Sequence, residues 1–179
     1  MTPFYDKCAE VILRNEGGYQ CHPSDRGNYT PDGHLIGTKY GISARIFPQE
    51  DIKNLTKERA KYLIWKHFWV PMNIETIADD LLVLHIADFG FNAGKRRSIR
   101  TLQRIVGTAP DGICGPLTLS AVSKFTPIVK GCMRYTACDF FKEARKVYYM
   151  DLANRKPQYK VFLNGWLRRI EKTKFDETV

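Results

Sequence analysis

A chain of 179 residues is long enough for one sizeable core or a two-part domain with a continuous core. With 44% hydrophobic and 26% charged residues it has the composition of an ordinary globular protein, which excludes the disordered and fibrous classes. No apolar run approaches the ~20 residues that a membrane-spanning helix needs, so membrane insertion is not expected.

The net charge of +9 calls for an acidic partner: nucleic acid, an anionic membrane surface, or the polyanionic bacterial wall. The basic residues are dispersed, with Arg96, Arg97, Arg100 and Arg104 in one segment, Lys142, Arg145 and Lys146 in another, and Arg168-Arg169 in a third. Such scatter reads first as solvated faces. No zinc spacing or RNP-like aromatic strand accompanies it, and nucleic acid is not expected. The five cysteines are odd in number and form no C-x-x-C pair, which argues against structural zinc and a disulfide framework and fits a reducing compartment. Cys8 and Cys132 fall on apolar helical positions and read as small core residues. The N-terminus has neither the basic start nor the small-residue cleavage site of a signal peptide, so synthesis in the cytosol is expected, with delivery by another system if the target is a cell wall.

Taken in chain order, Thr2 and Pro3 supply an N-cap and a first-turn proline. Phe4, Cys8, Val11 and Ile12 then recur on one helical face, predicting a helix that Glu16 ends. Gly17 and Gly18 are its stop signal, because glycine enters the left-handed conformation at little steric cost. A carboxylate at a helix C-terminus faces partial negative charge, a misfit of roughly 0.3–1 kcal/mol that holds its proton more tightly. Glu16 thus has the bias of a general acid, although a solvated surface glutamate fits the same position. The segment from Tyr19 to Tyr40, with Pro23, Gly27, Pro31, Asp32-Gly33 and Gly37, reads as turns and a short hairpin. Asp25 lies in this polar stretch, either as an ionised second carboxylate or as the turn former of Ser24-Asp25-Arg26-Gly27.

A helix is predicted from Thr56, with Ala60, Leu63, Ile64, His67 and Phe68 on one face, His67 packed in the core, and Pro71 as its end. Asp79-Asp80 opens another, interrupted at Asn92-Ala93-Gly94. From Ser98 to Gly107, Ile99, Leu102, Gln103 and Val106 face one side and arginines the other; turns follow at Asp111-Gly112 and Gly115-Pro116, then a short helix from Leu117 to Phe125. The longest stripe takes Val129, Met133, Ala137, Phe140-Phe141, Ala144, Tyr148 and Leu152, a core face and not a cofactor box. After Pro157 a final helix carries Val161, Phe162, Gly165-Trp166 and Ile170, and the charged tail beyond Lys172 is expected to fray.

Several of these stretches, taken together and in this order, resemble the glycoside hydrolase family 108 muramidases, lysozyme-like peptidoglycan-cleaving proteins found as phage endolysins and in loci once labelled secretion activators. They are Glu16-Gly17-Gly18-Tyr19, Pro23-Ser24-Asp25-Arg26-Gly27, Thr38-Lys39-Tyr40-Gly41-Ile42-Ser43, Asp88-Phe89-Gly90-Phe91-Asn92-Ala93-Gly94, Leu102-Gln103, Asp111 to Thr118, and Phe162 to Arg169. The resemblance implies a mainly α-helical, lysozyme-like fold with a small β-hairpin or loop region near residues 19–43. Residues 1–87 would form the catalytic part and 88–179 a smaller helical, peptidoglycan-binding-like part packed on it, or the two a single compact domain. The Leu-Gln…Asp-Gly…Gly-Pro-x-Thr layout is similar to that of peptidoglycan-binding modules, and equally reads as two helices joined by a tight loop.

The activity implied is cleavage of the β-1,4 bond between N-acetylmuramic acid and N-acetylglucosamine. Glu16 would be the general acid and Asp25 the family's aspartate, with Tyr19, Thr38, Tyr40 and Asn92 binding substrate. Asp88 and Asn92 would be structural or cleft-lining. A carboxylate separation of about 5 Å goes with a retaining mechanism and one above about 6.5 Å with an inverting one. The chain departs from the family pattern by an insertion, Asn28 to Ile36, ahead of Gly37-Thr38. Thr30 and Thr38 are then both candidates for the site threonine, and Thr38 is preferred because it keeps its place beside Tyr40-Gly41-Ile42. No cofactor and no metal are expected: His22, His34, His67 and His85 have no ligand spacing such as H-E-x-x-H. The expected partner is bacterial peptidoglycan, engaged by a monomer. The alternative is a noncatalytic wall-binding or secretion-accessory protein whose second half grips peptidoglycan and in which Glu16 is incidental.

Overall fold

The computed structural model describes residues 1–176, in two compact units, one from Met1 to Lys66 and the other from His67 onward. In the first unit, helix α1 (Pro3–Arg14) starts where Thr2 accepts the Tyr5 N–H at 3.2 Å, with Pro3 in its first turn. It buries Tyr5, Cys8, Ala9, Val11, Ile12 and Leu13. A 3-10 turn (Arg26–Asn28) precedes an antiparallel hairpin of β1 (Thr38–Lys39) and β2 (Ile42–Ser43), in which Thr38 faces Ser43 and Lys39 faces Ile42. Tyr40 and Gly41 connect the strands with φ of 54° and 73°, the two positive values that a tight hairpin turn of the right twist requires. Helix α2 (Lys57–Ile64) is capped by Thr56 and packs against α1. The Tyr5 hydroxyl donates to the Lys61 carbonyl at 2.5 Å. Glu10 takes both Lys57 and Lys61, and the Lys57 hydrogen bond first, then that of Lys61, holds its carboxyl below the ordinary range.

A π-helical turn (Trp65–Trp69) leads into α3 (Val70–Met72), so Pro71 does not end the helical path as expected. Proline lacks the N–H that would bond the carbonyl of His67. That carbonyl is taken instead by Lys95 Nζ at 2.6 Å, and the path stops two residues later at Asn73, which is left-handed at φ 50°. His67 itself is exposed, which corrects its expected place in the core.

Helix α4 (Asp80–Ala93) begins at Asp79, which accepts the Leu82 N–H at 2.9 Å, and ends at Gly94. Helices α5 (Lys95–Val106) and α6 (Pro116–Ser123) follow. The segment after α6 departs from expectation. Val129 and Met133 lie not in a helix but in a hairpin of β3 (Ile128–Lys130) and β4 (Met133–Tyr135), turning at Gly131 with φ 59°. Both side chains are exposed, and so is Cys132, whereas Cys8 is buried as expected. None of the five cysteines forms a disulfide.

Helix α7 (Ala137–Arg155) starts at a capping box in which Thr136 and Asp139 satisfy each other's backbone N–H groups. It is the centre of the second unit, packed by α4, α5 and α8 (Lys160–Lys172). The interior is Leu82, Val83, Leu84, Ile86, Phe89, Leu102, Phe141 and Ile170. It also contains a charge cluster. Asp88 is fully buried and pairs with Arg145 and with Arg169, whose Nη2 is 2.7 Å from Oδ1. The Thr173 hydroxyl donates to Asp88 Oδ2 at 3.3 Å, so the chain just past α8 is seated in the core and not frayed. Residues 177–179 of the expected frayed tail lie outside the described residues.

Candidate functional site

Helix α1 stops at Arg14. The Asn15 N–H reaches Ile12 O and the Glu16 N–H reaches Leu13 O, so Glu16 occupies the tightened last turn at the helix C-terminus. Neither Gly17 nor Gly18 is left-handed, which corrects the expected stop: the helix closes through Asn15 in a right-handed conformation. The glycines do something else. A Cβ at either would meet nothing within 4 Å, so the backbone beside Glu16 borders open space. Glu16 is half-buried, with Oε1 out of contact with solvent. The Gly17 carbonyl accepts the Tyr40 N–H at 3.3 Å, joining the Glu16 end of α1 to the turn of the β1–β2 hairpin.

Behind the hairpin lies a network centred on Asn28, which is fully buried. Its Nδ2 donates to Gln20 Oε1 (2.8 Å) and to the His22 carbonyl (3.0 Å). Its Oδ1 accepts from Gln20 Nε2 (3.0 Å) and from the Thr38 hydroxyl (2.7 Å). These four bonds use both protons and both lone pairs of the amide. Gln20 Nε2 also donates to Asp25 Oδ2 at 2.9 Å, and Asp25 Oδ1 accepts the Gly27 N–H at 2.8 Å. Asp25 is exposed, with both oxygens oriented and one lone pair left on each. Gln20 and Thr38 exchange backbone bonds at 2.9 and 2.8 Å, which fixes β1 against the segment after Tyr19. Asp25, Thr38 and the α1 end are thereby parts of one folded unit. The sequence reading missed Gln20 and Asn28, whose only signal is that both are amides in a turn-rich stretch with backbone groups to satisfy.

The two candidate threonines separate clearly. Thr30 is buried; its hydroxyl accepts the His34 N–H at 2.9 Å and donates to the His34 carbonyl, closing the inserted loop on itself. Thr38 is half-buried and spends its proton on Asn28, which leaves its oxygen able to accept. The Tyr19 hydroxyl donates to the Ile36 carbonyl at 2.8 Å, and its ring lies where a Cβ on Gly37 would be, 2.7 Å away. Gly37 has φ 113°, so only glycine fits. Tyr40 is half-buried with Lys39 Nζ 5.5 Å from its ring centre. A depression of about 580 Å³ in this unit is lined by the inserted loop (Thr30, Asp32, His34, Ile36) and by Pro48 to Asp51, not by Glu16.

Asn92 belongs to the second unit, exposed at the end of α4, where its Nδ2 donates to the Asp88 carbonyl at 2.9 Å. In the same unit the Leu-Gln…Asp-Gly…Gly-Pro-x-Thr residues hold each other. Gln103 is buried and its Nε2 reaches Asp111 Oδ1 (2.7 Å), the Ile113 carbonyl (3.0 Å) and Thr118 Oγ1 (3.1 Å), while its Oε1 accepts the Gly112 N–H (2.8 Å). That motif builds the loop between α5 and α6.

The first unit thus holds a half-buried carboxyl at a helix end, an oriented aspartate and a hydroxyl-bearing hairpin. Residues 9–94 match the family described as Glycosyl hydrolase 108, and residues 97–171 match that described as Predicted Peptidoglycan domain. Residues 9–94 therefore belong to glycoside hydrolase family 108, and a peptidoglycan domain follows at residues 97–171. The solved structure titled "Structure of Brucella abortus SagA" is similar over 94% of this chain and 90% of that one, at 24% identity and a TM-score of 0.72, and it shares the mainly helical, lysozyme-like fold. No curated protein matches the chain.

Proposed function

We propose that the protein is an N-acetylmuramidase, which cleaves the β-1,4 bond between N-acetylmuramic acid and N-acetylglucosamine in peptidoglycan. Glu16 gives its proton to the leaving glycosidic oxygen as positive charge develops on the sugar. Asp25 supplies the second role, steadying that charge or taking a proton from the attacking water; the two donors that orient it leave lone pairs for either task. Thr38 accepts a hydrogen bond from that water or from a sugar hydroxyl, and Tyr19, Tyr40 and Asn92 contact the glycan. The observation that carries the reading is the family match across residues 9–94, the stretch in which Glu16 stands beside two glycines bordering open space. Five cysteines outside any disulfide favour synthesis in a reducing compartment, with delivery to the wall by another system.

Mass spectrometry of the products from purified peptidoglycan tests this. New reducing ends on N-acetylmuramic acid are expected. Reducing ends on N-acetylglucosamine would move the cleavage to the other glycosidic bond, and no new reducing ends would turn the protein into a noncatalytic wall binder.

A further inference from the structure

Helix α5 buries Ile99, Leu102 and Gln103 and presents Arg96, Arg100 and Arg104 on its exposed side. Spaced four residues apart, their Cα atoms rise by about 6 Å at each step. With Gly94, Lys95 and Arg97 they line a depression of about 600 Å³. Lys95 and Arg97 are pinned at its edge. Lys95 holds the His67 carbonyl and lies 5.4 Å from the centre of the Phe68 ring, while Arg97 donates to the Ala93 carbonyl and lies 4.7 Å from the centre of the Tyr148 ring.

This arrangement works against the helix. Like charges four residues apart repel, and Lys95, Arg96 and Arg97 crowd a first turn that has no acidic residue, where the helix dipole favours anions. Among the described residues, none of the five cations forms an ion pair with a carboxylate. The nearest compensation is Asp111, whose carboxyl is held below the ordinary range mainly by the Gln103 hydrogen bond and the Ile113 N–H, with the Arg100 charge a lesser cause. Two local rules are broken at one place and Asp111 offsets only part of the charge, which is the mark of a site built for something outside the chain.

We propose that this depression is a second ligand site, which takes the free carboxylates of peptidoglycan's peptide stems. The proposal rests on the peptidoglycan domain at residues 97–171, which begins in the first turn of α5. A guanidinium forks onto a carboxylate with two parallel hydrogen bonds, and the 6 Å step of the stripe is close to the ~7 Å between alternate residues of an extended peptide. Neighbouring arginines therefore meet carboxylates carried two residues apart on one stem. The ligand brings the missing anions, so its binding and the relief of repulsion in α5 are the same event.

Cosedimentation with purified sacculi tests this for the wild type, for the triple variant Arg96→Gln/Arg100→Gln/Arg104→Gln, and for a charge-matched control, Lys124→Gln/Lys130→Gln/Arg134→Gln, taken from exposed positions elsewhere in the unit. The expected result is about tenfold weaker binding for the arginine triple, with the control binding like the wild type. Amidation of the sacculus carboxylates should weaken the wild type equally. The variant Arg96→Lys/Arg100→Lys/Arg104→Lys, which keeps charge but not the fork, should fall in between. The melting temperature of the glutamine triple should be unchanged or raised. Undiminished binding by that triple overturns the proposal, as does an equal loss in the control, which would reduce the effect to net charge. Loss only when phosphate-bearing wall polymers are stripped reassigns the site to phosphate and also overturns it. If the wild type fails to pellet with sacculi but shifts duplex DNA, the peptidoglycan reading of the domain fails first and this site with it.

Discussion

Acidification from pH 7 toward pH 4 should drain stability from the second unit through a single imidazole. His85 is 1% exposed and its Nδ1 lies 2.7 Å from Arg145 Nη1. Arginine can only donate, so that nitrogen accepts and the ring is neutral with its proton on Nε2. Burial first, and the Arg145 charge second, lower its pKa from 6.5 to about 3, against a smaller opposing pull from Asp88. In the unfolded chain the ring titrates near 6.5. Between these two values the unfolded state binds a proton that the native state refuses, so stability falls as pH falls, by about 1.4 kcal/mol per pH unit. Above pH 6.5 the effect vanishes. At pH 4 the loss reaches roughly 3 kcal/mol, a large share of the ~5–15 kcal/mol that holds a domain together. Asp88 has the same sign in a lower window. Burial raises its pKa, but Arg169 and Arg145 outweigh that and hold it below the ordinary range, so its contribution is lost only below about pH 4. Urea unfolding from pH 4.0 to 7.5 separates the two when the wild type is compared with His85→Asn, whose Oδ1 keeps the acceptor and does not titrate. The difference between the two proteins should grow with pH at the one-proton slope up to pH 6.5 and then level off. Parallel curves across that range would refute the buried neutral histidine.

Asp88→Asn should cost about 3–5 kcal/mol in denaturant unfolding, because it leaves the fully buried Arg145 guanidinium without its anion; a loss below 1 kcal/mol would contradict that pairing. Asn28→Ala removes four hydrogen bonds and strands Gln20 and Thr38, and a loss of about 2–4 kcal/mol is expected by thermal unfolding. Tyr40→Asn separates packing from binding: asparagine tolerates φ 54°, so stability should stay within about 1 kcal/mol while peptidoglycan turnover falls about tenfold with the lost ring. Turnover equal to the wild type would take Tyr40 out of the substrate site.

Sequence pattern located most helices because their starts carry local chemistry: Thr2 before Pro3, Thr56, and Asp79 each cap a helix within a residue or two of where the spacing placed it. Where it failed, a periodic signal was accidental or a long-range partner decided. Val129 and Met133 keep step with the stripe of α7 by chance, and the capping box Thr136-x-x-Asp139 marked the true start. Pro71 is tolerated because Lys95, 28 residues downstream of His67 in the chain, takes the His67 carbonyl that proline leaves open. The position of Glu16 just past the end of α1 was legible from the apolar spacing before it and the two glycines after it. Asn28 was not, since its importance lies in contacts with Gln20, His22 and Thr38 that no spacing rule announces.

The central claim is that Glu16 donates the proton in glycoside cleavage, and the most direct measurement is the turnover of purified peptidoglycan by Glu16→Gln beside the wild type, with unfolding curves for both. The glutamine keeps the shape of the side chain and removes the transferable proton. A fall of about 10²–10⁴-fold in rate at unchanged stability is the predicted result. A variant that folds normally and keeps more than a tenth of the activity would contradict the assignment.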